Sequence, residues 1–535
     1  MYVIIFDKTM VNSTHTNRKE CNVKLIVDAN NLQGRISRHV YGQFSEHLGH
    51  CIYDGLYVGE KSKIPNIDGV RKDVIEVLRR IRIPNLRWPG GCFADCYHWR
   101  DGIGPRSKRP CIVNDTWGGV TEDNSFGTHE FLRFCELIGA EPYINGNVSS
   151  GTVQEMSQWI EYLNAKVQGP MTELRRKNGR KEPWDVKFWG FGNEPWGDGH
   201  MRPEYYADQF RRYTTYARDY GDTKLVRIAA GANGGDLNWT EVLMQSAGQW
   251  LDAVTLHYYT VPGVWEHKGS ATKFDVPEYY TTLEKASNIE NIIKAQSVVM
   301  DKYDPDARVG LFVDEWGTWF DVEEGTNPGF LHQQNTMRDA MVAALSLNIF
   351  HRHNRRVRMA NIAQLVNVLQ AMILTEGEKM LVTPTCHVFD LYKVHQDADR
   401  VETFAQTAPI DGSKLPAITH TASVKDGILH VSAANIHADK ALPVELEAWG
   451  FDAASVTGEI IGDGDIHALN TFKKPNAVKI RKLDLVVKNG KVLFELPPCS
   501  VATITLNPAA AKKALSKKAP AKKAPAKKAA KKASK

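Results

Sequence analysis

At 535 residues and 42% apolar composition, the chain is long enough to bury one large core plus a smaller second one, and a disordered or disulfide-stapled class is excluded. The net charge of +5 is unevenly spread. Residues 508–535 carry eleven lysines and no acid, so the body stands near −6, which excludes a basic, nucleic-acid-binding body.

In chain order, residues 1–22 read as a poorly ordered extension. Its apolar run is too short for a secretory signal, and Met10 is a candidate alternative start. No run approaches the roughly 20 apolar residues of a membrane span. Eight cysteines without framework spacing fit free thiols in a reducing compartment, so a cytoplasmic protein off the membrane is expected. Val23 to Asp28 alternates polar and apolar and predicts a strand that joins a later sheet.

From 41 to 385, short apolar runs alternate with amphipathic segments. The runs are VYGQFSEH, NLRWPGG, EPYINGNV, VKFWGFGNEP, LVRIAAGANGG, AVTLHYYT, RVGLFVDEWG and MANIAQLVNVLQ. A helix is expected from about Gly69 to Arg80, with Val70, Val74, Ile75 and Leu78 on one face. Strand and helix repeated eight times predict an α/β fold, a parallel (β/α)8 barrel. The fifth and eighth runs are the weakest, and Ile362, Leu365, Val366 and Leu369 in the eighth also fit helical spacing. Residues 386–507, with Asp-Gly and Asn-Gly turns between alternating strands, predict a jelly-roll-like β-sandwich that takes in 23–40 as well. The tail 508–535 repeats Lys-Lys among Ala and Pro and cannot form a core. It reads as a solubilising segment or as a weak contact for nucleic acid or another polyanion.

Nearly every barrel run ends in polar or aromatic chemistry, as active sites at the C-terminal ends of barrel strands require. Two of these ends are glutamates, Glu194 in FWGFGNEPWGDG and Glu315 in VGLFVDEWG. Two carboxyl groups facing across a cleft suit glycosidic hydrolysis, one protonated for the leaving oxygen and one ionised for the anomeric carbon. Glu194 is the expected proton holder, since Trp189, Phe191 and Trp196 beside it in sequence disfavour its charged form. Pro195 biases it away from helical geometry, and Trp316 and Trp319 suit a sugar face.

These segments, with LRWPGGCFADCYHWRDGIGP, EDNSFGTHEF, LHYYT, DEWGTW and MANIAQLVNVLQAMILTEG, closely resemble family 51 of the glycoside hydrolases, the α-L-arabinofuranosidases, from about Val23 to Leu506. The resemblance implies a retaining double displacement, with Glu194 as acid/base and Glu315 as nucleophile. It also implies sugar-binding roles for Glu46, Arg87, Cys92, Trp117, Asn193, His257, Tyr259, Trp319 and Gln370. By that resemblance Glu46 accepts from furanose hydroxyls, Asn193 donates to the 2-hydroxyl and Gln370 reaches a hydroxymethyl group. Tyr259 bonds the nucleophile, Arg87 keeps it ionised, and Trp117 and Trp319 form apolar walls. Cys92 departs from the Asn of several members and bonds more weakly.

The resemblance implies no cofactor and no metal. Cys92, Cys96 and His98 lack the second ligand pair of a zinc site. It implies a homohexamer and a substrate that is an arabinofuranosyl oligosaccharide derived from arabinan or arabinoxylan. Xylosidase or endoglucanase specificity on the same fold, and a non-catalytic polyanion-binding protein acting through the tail, stay open.

Overall fold

The computed structural model describes residues 23–508. The expected extension and all but the first residue of the expected tail lie outside the described residues. Strand β1, Val23–Arg35, buries Val23, Leu25 and Val27 on one face.

Eight parallel strands then close into a barrel in chain order. They are β2 (Gly42–Phe44), β3 (Asn85–Trp88), β4 (Glu141–Gly146), β5 (Phe188–Phe191), β6 (Val226–Asn233), β7 (Ala253–Thr260), β8 (Gly310–Thr318) and β9 (Val357–Ala363). All nine residues of β8 are buried, because a parallel strand is covered by side chains inside and helices outside. The barrel interior holds a layer of Tyr143, Phe188, Ile228, Ala253, Phe312 and Met359. The expected first helix forms at Lys72–Ile81 and buries Val74, Ile75 and Leu78.

Both weak runs are strands. The eighth is not a helix: β9 pairs with β8 and with β2, where Asn361 lies beside Gly42, and so closes the barrel. Those ladder bonds outweigh its helical spacing. After Ala363 the chain turns back, with Gln364 N donating to Val368 O and Gln370 N to Ala363 O.

The remaining strands are β10 (Asp399–Gln406), β11 (Ile418–Lys425), β12 (Ile428–Asn435), β13 (Leu442–Trp449), β14 (Ala453–Ile461), β15 (Arg481–Lys482), β16 (Val486–Lys488), β17 (Lys491–Leu496) and β18 (Ser500–Pro508). With β1 they make one all-β sheet in the order β15-β14-β18-β12-β11-β10-β1-β13-β17-β16. β1 pairs antiparallel with β10 and parallel with β13.

The helix Met337–Arg352 is buried nearly throughout and packs between this sheet and the barrel. Thr336 and Asp339 cap its start. At its other end Asn348 donates to Thr419, while His351 bonds Tyr41 on one nitrogen and Thr421 on the other. These bonds tie the sheet to the N-terminal end of the barrel, where Tyr41 leads into β2, while at the cleft end Asp339 accepts from Thr318 Oγ1 at the end of β8.

Candidate active site

A cleft of about 730 Å³ opens at the C-terminal ends of the strands, with Glu46, Trp117, Glu194, His257, Glu315 and Trp319 among its walls. Glu194 sits just past β5 with φ 38° and ψ 48°, a left-handed conformation that costs a glutamate about 1–2 kcal/mol. Pro195 opens a single helical turn, Pro195–Asp198, and Gly197 N and Asp198 N donate back to Glu194 O at 2.7 and 2.9 Å. The turn thereby fixes Glu194 at the strand end and aims its carboxyl across the barrel.

Glu315, on β8, lies at the same ladder level as His257 on β7. Its Oε1 accepts from Arg87 Nη1 at 2.7 Å and its Oε2 from the Tyr259 hydroxyl at 2.9 Å. Arg87 is buried, and Asp314 and Glu315 together outweigh the cost of that burial and strengthen its hold on its proton. Gly91 must lack a side chain, since a Cβ there would lie 2.7 Å from Glu315 Oε1.

His257 sits among the carboxylates. Its Nδ1 bonds Glu194 Oε1 at 2.7 Å, and its Nε2 lies 3.2 Å from Asp314 Oδ1. Burial alone would favour the neutral ring, but Glu315, Asp314 and Glu194 raise its pKa well above the usual value. Burial would likewise raise Asp314, yet Arg87 and His257 hold its carboxyl below the usual range. Glu194 moves the other way. Burial raises it, His257 partly opposes the rise, and the charges of Glu315 and Asp198 add to it. One oxygen of Glu194 is therefore held by His257, and the group keeps a proton above the usual carboxyl range.

The sequence-predicted residues fall into two groups. Glu46, Cys92, Trp117, His257, Tyr259 and Trp319 border the cleft. Arg87 and Asn193 stand directly behind it, joined by Arg87 Nη2 to Asn193 Oδ1 at 2.7 Å. Glu46 already accepts from Gly91 N, Phe93 N, Trp117 Nε1 and Gln364 Nε2. Burial, then the charge of Glu315, pushes its carboxyl up to about 7 against those donors.

Gln370 is a correction, for it does not reach the cleft. Its Oε1 accepts from Thr318 N at 2.9 Å, and its Nε2 donates to Asp339 O and Thr385 Oγ1. It is fully buried beneath the end of β8. Gln364, immediately after β9, borders the cleft instead. The strand-end rule points to it once the eighth run is read as a strand that stops at Ala363.

Trp189 and Phe191 are a second correction. They face the surrounding helices, against Trp159 and Phe210, because alternate residues of a strand point to opposite sides. Trp196 does line the cleft. Asp95, whose carboxyl accepts from Val148 N and Asn193 N and is pushed up to about 6 by burial, carried no sequence signal.

Cys92, Cys96 and His98 do not form one group: Cys96 lies by Thr116 and His98 by Glu155. The seven described cysteines are free. Ligand atoms of Glu194, His257 and Glu315 lie within 4.8 Å of one another. Within that set His257 Nδ1 is bonded to Glu194 Oε1, and Glu315 to Arg87 and Tyr259.

The chain matches two family models, the α-L-arabinofuranosidase 1 domain over residues 77–278 and the α-L-arabinofuranosidase C-terminal domain over 314–500. It is 50% identical over 477 residues to an intracellular exo-α-L-arabinofuranosidase of Bacteroides ovatus, covering 88% of this chain and 93% of that protein. The crystal structure of the GH51 arabinofuranosidase from Xanthomonas axonopodis pv. citri superposes with a TM-score of 0.89 at 46% identity, over 91% of this chain and all of that one. An arabinose complex of the α-L-arabinofuranosidase from Thermotoga maritima superposes with a TM-score of 0.78 at 32% identity, over 90% and 99%.

Proposed function

The chain belongs to the α-L-arabinofuranosidases of glycoside hydrolase family 51, and from that membership we propose that it is an exo-acting enzyme removing terminal non-reducing α-L-arabinofuranosyl residues. Its substrates are oligosaccharides derived from arabinan or arabinoxylan. The observation that carries the reading is the carboxyl pair Glu194 and Glu315, with oxygens within 4.8 Å in one cleft. A retaining course fits a separation of about 5–5.5 Å, and inversion needs about 6.5–9.5 Å.

In this reading Glu315, aligned by Arg87 and Tyr259, attacks the anomeric carbon. Glu194 gives its proton to the leaving oxygen, and His257 fixes Oε1 so that Oε2 carries it. Once deprotonated, Glu194 removes a proton from the water that opens the glycosyl–Glu315 ester, and the sugar leaves with retained configuration. Glu46 and Gln364, bonded to each other at 2.9 Å, take the hydroxyl side of the ring, and Trp117 and Trp319 take its faces.

The test is hydrolysis of an aryl α-L-arabinofuranoside by the wild type and by Glu315→Ala, with and without azide. The variant is expected to lose at least ~10³-fold in kcat, with azide restoring part as an inverted glycosyl azide. Wild-type turnover on an aryl xyloside or glucoside but not on the arabinofuranoside would falsify the substrate assignment.

Three finer points belong to the same reading. A hexamer is proposed by family resemblance, and sedimentation velocity at micromolar protein tests it. An intracellular location is proposed on the name of the Bacteroides ovatus relative; among the described residues no helix is long and apolar enough to cross a membrane. The lysine-rich tail is proposed as a weak polyanion contact, and salt-sensitive heparin retention that disappears when the chain ends at Asn507 is the expected result. No observation favours the xylosidase, endoglucanase or non-catalytic readings.

A further inference from the structure

Beside the cleft an exposed carboxylate reaches back toward Glu194. Asp198 ends the short turn that begins after Glu194, and its backbone N–H is bound to Glu194 O at 2.9 Å. Its side chain turns back to accept from Asn193 Nδ2, with Oδ2 at 3.1 Å. Every other bond of Asn193 is already assigned: its N–H goes to Asp95 Oδ2 and its Oδ1 accepts from Arg87.

An amide nitrogen has two hydrogens. The first is on Asp198. The second points to the wall of the cleft, where among the described residues it meets the Cys92 sulfur at 3.9 Å. Gly91 is on the same wall, and a Cβ there would lie 3.6 Å from the same nitrogen. That second hydrogen is thus weakly held, beside the cleft-lining residues Gly91 and Cys92.

We propose that Asp198 is a positioning residue for the hydrolysis: it takes one Nδ2 hydrogen of Asn193, so that the other is presented to the substrate, and it places a negative charge behind Glu194. The proposal rests on Glu194 being the acid/base.

The protein partners of Asp198 are neutral, the Asn193 amide and the Cys92 thiol, and because the residue is exposed, solvent screens part of the charge it presents to Glu194. The other groups facing this corner are Asp95 and Cys92 from the segment after β3, His257 on β7 and Glu315 on β8. Glu194 therefore feels two like charges, Glu315 and Asp198, against one cation, His257. Removing the Asp198 charge should make Glu194 release its proton more easily.

The experiment compares Asp198→Asn and Asp198→Ala with the wild type on an aryl α-L-arabinofuranoside across pH, with melting temperature as the check on folding. Asp198→Ala is expected to lose roughly tenfold in kcat/KM, mostly in kcat, because the freed amide no longer holds its second hydrogen on the hydroxyl. Asp198→Asn keeps an oxygen acceptor without the charge. It should retain most activity at the optimum while the alkaline limb of kcat/KM moves to lower pH. Wild-type rates and an unmoved limb in both variants overturn the proposal. So does a loss that merely parallels melting temperature with the limb unmoved. Glu194→Ala run alongside separates the two layers. If that variant is as active as the wild type, the acid/base reading has failed; if it collapses while the Asp198 variants behave normally, only the role of Asp198 has failed.

Discussion

Replacing each of two glutamines six positions apart separates a residue that holds the scaffold from one that meets substrate. Gln370→Ala removes three buried hydrogen bonds, from Thr318 N and to Asp339 O and Thr385 Oγ1. At about 1 kcal/mol each, plus a small cavity, the cost is about 3–5 kcal/mol. With an unfolding entropy of about 2 cal/mol/K per residue, that lowers the melting temperature by roughly 3–5 °C. Gln364→Ala removes one donor from Glu46 and a polar group from the cleft wall. Gln364 Oε1 is buried without a protein donor among the described residues. This variant should keep its melting temperature within about 1–2 °C and lose roughly tenfold to a hundredfold in kcat/KM. The measurements are differential scanning fluorimetry and steady-state kinetics on an aryl arabinofuranoside. A Gln370→Ala enzyme with unchanged melting and a selectively raised KM would refute the reasoning, as would a Gln364→Ala enzyme with wild-type kcat/KM.

Three further outcomes are expected. His257→Gln removes the cation that lowers the proton affinity of Glu194, so kcat should fall and the alkaline limb of kcat/KM should move to higher pH, opposite to Asp198→Asn; a limb that moves down contradicts the charge assignment. Gly91→Ala puts a methyl 2.7 Å from Glu315 Oε1 and should cost at least ~10²-fold in kcat with little change in melting; near-wild-type kcat rules the contact out.

The third concerns pH and stability. At the seam between barrel and sheet, burial drives the pKa of His351 down to about 3 and of His420 to about 4, and lowers His395 well below the usual value. A histidine depressed in the folded state contributes stability that is present above its unfolded pKa near 6.5 and is lost as pH falls toward the folded value. His351 and His420 then each lose roughly 2 kcal/mol between pH 6.5 and pH 5, and His395 acts in the same sense. Glu46 and Asp95, raised in the fold to about 7 and about 6, work in the opposite sense and offset part of this. The melting temperature should fall from pH 7 to pH 5, and less steeply in His351→Asn; a flat profile contradicts it.

Much of the barrel was legible because parallel strands, covered on both sides, must be written as apolar runs whose polar residues collect at their ends. Glu194 and Glu315 stand out for that reason. The same rule, applied one residue at a time, would have separated Phe188, which fills the barrel interior, from Trp189 and Phe191, which face the helices. Reading neighbours in sequence as neighbours in space led to the wrong apolar partners for Glu194. Its elevation comes from burial in the cleft and from Glu315 and Asp198, with only Trp196 of that group lining the cleft.

Composition and pattern along the chain were sufficient for the strand-and-helix alternation, the second all-β unit, and the two strand-end glutamates, since each depends on local periodicity and turn chemistry. They could not decide between helix and strand for the eighth run, because that rested on Asn361 meeting Gly42 across 319 positions of chain. Nor could they choose Gln364 over Gln370, or place His257 among Glu194, Asp314 and Glu315, which raise its pKa. Those are properties of groups brought within a few ångströms by barrel closure, and hydrogen bonding and charge act across space rather than along the chain.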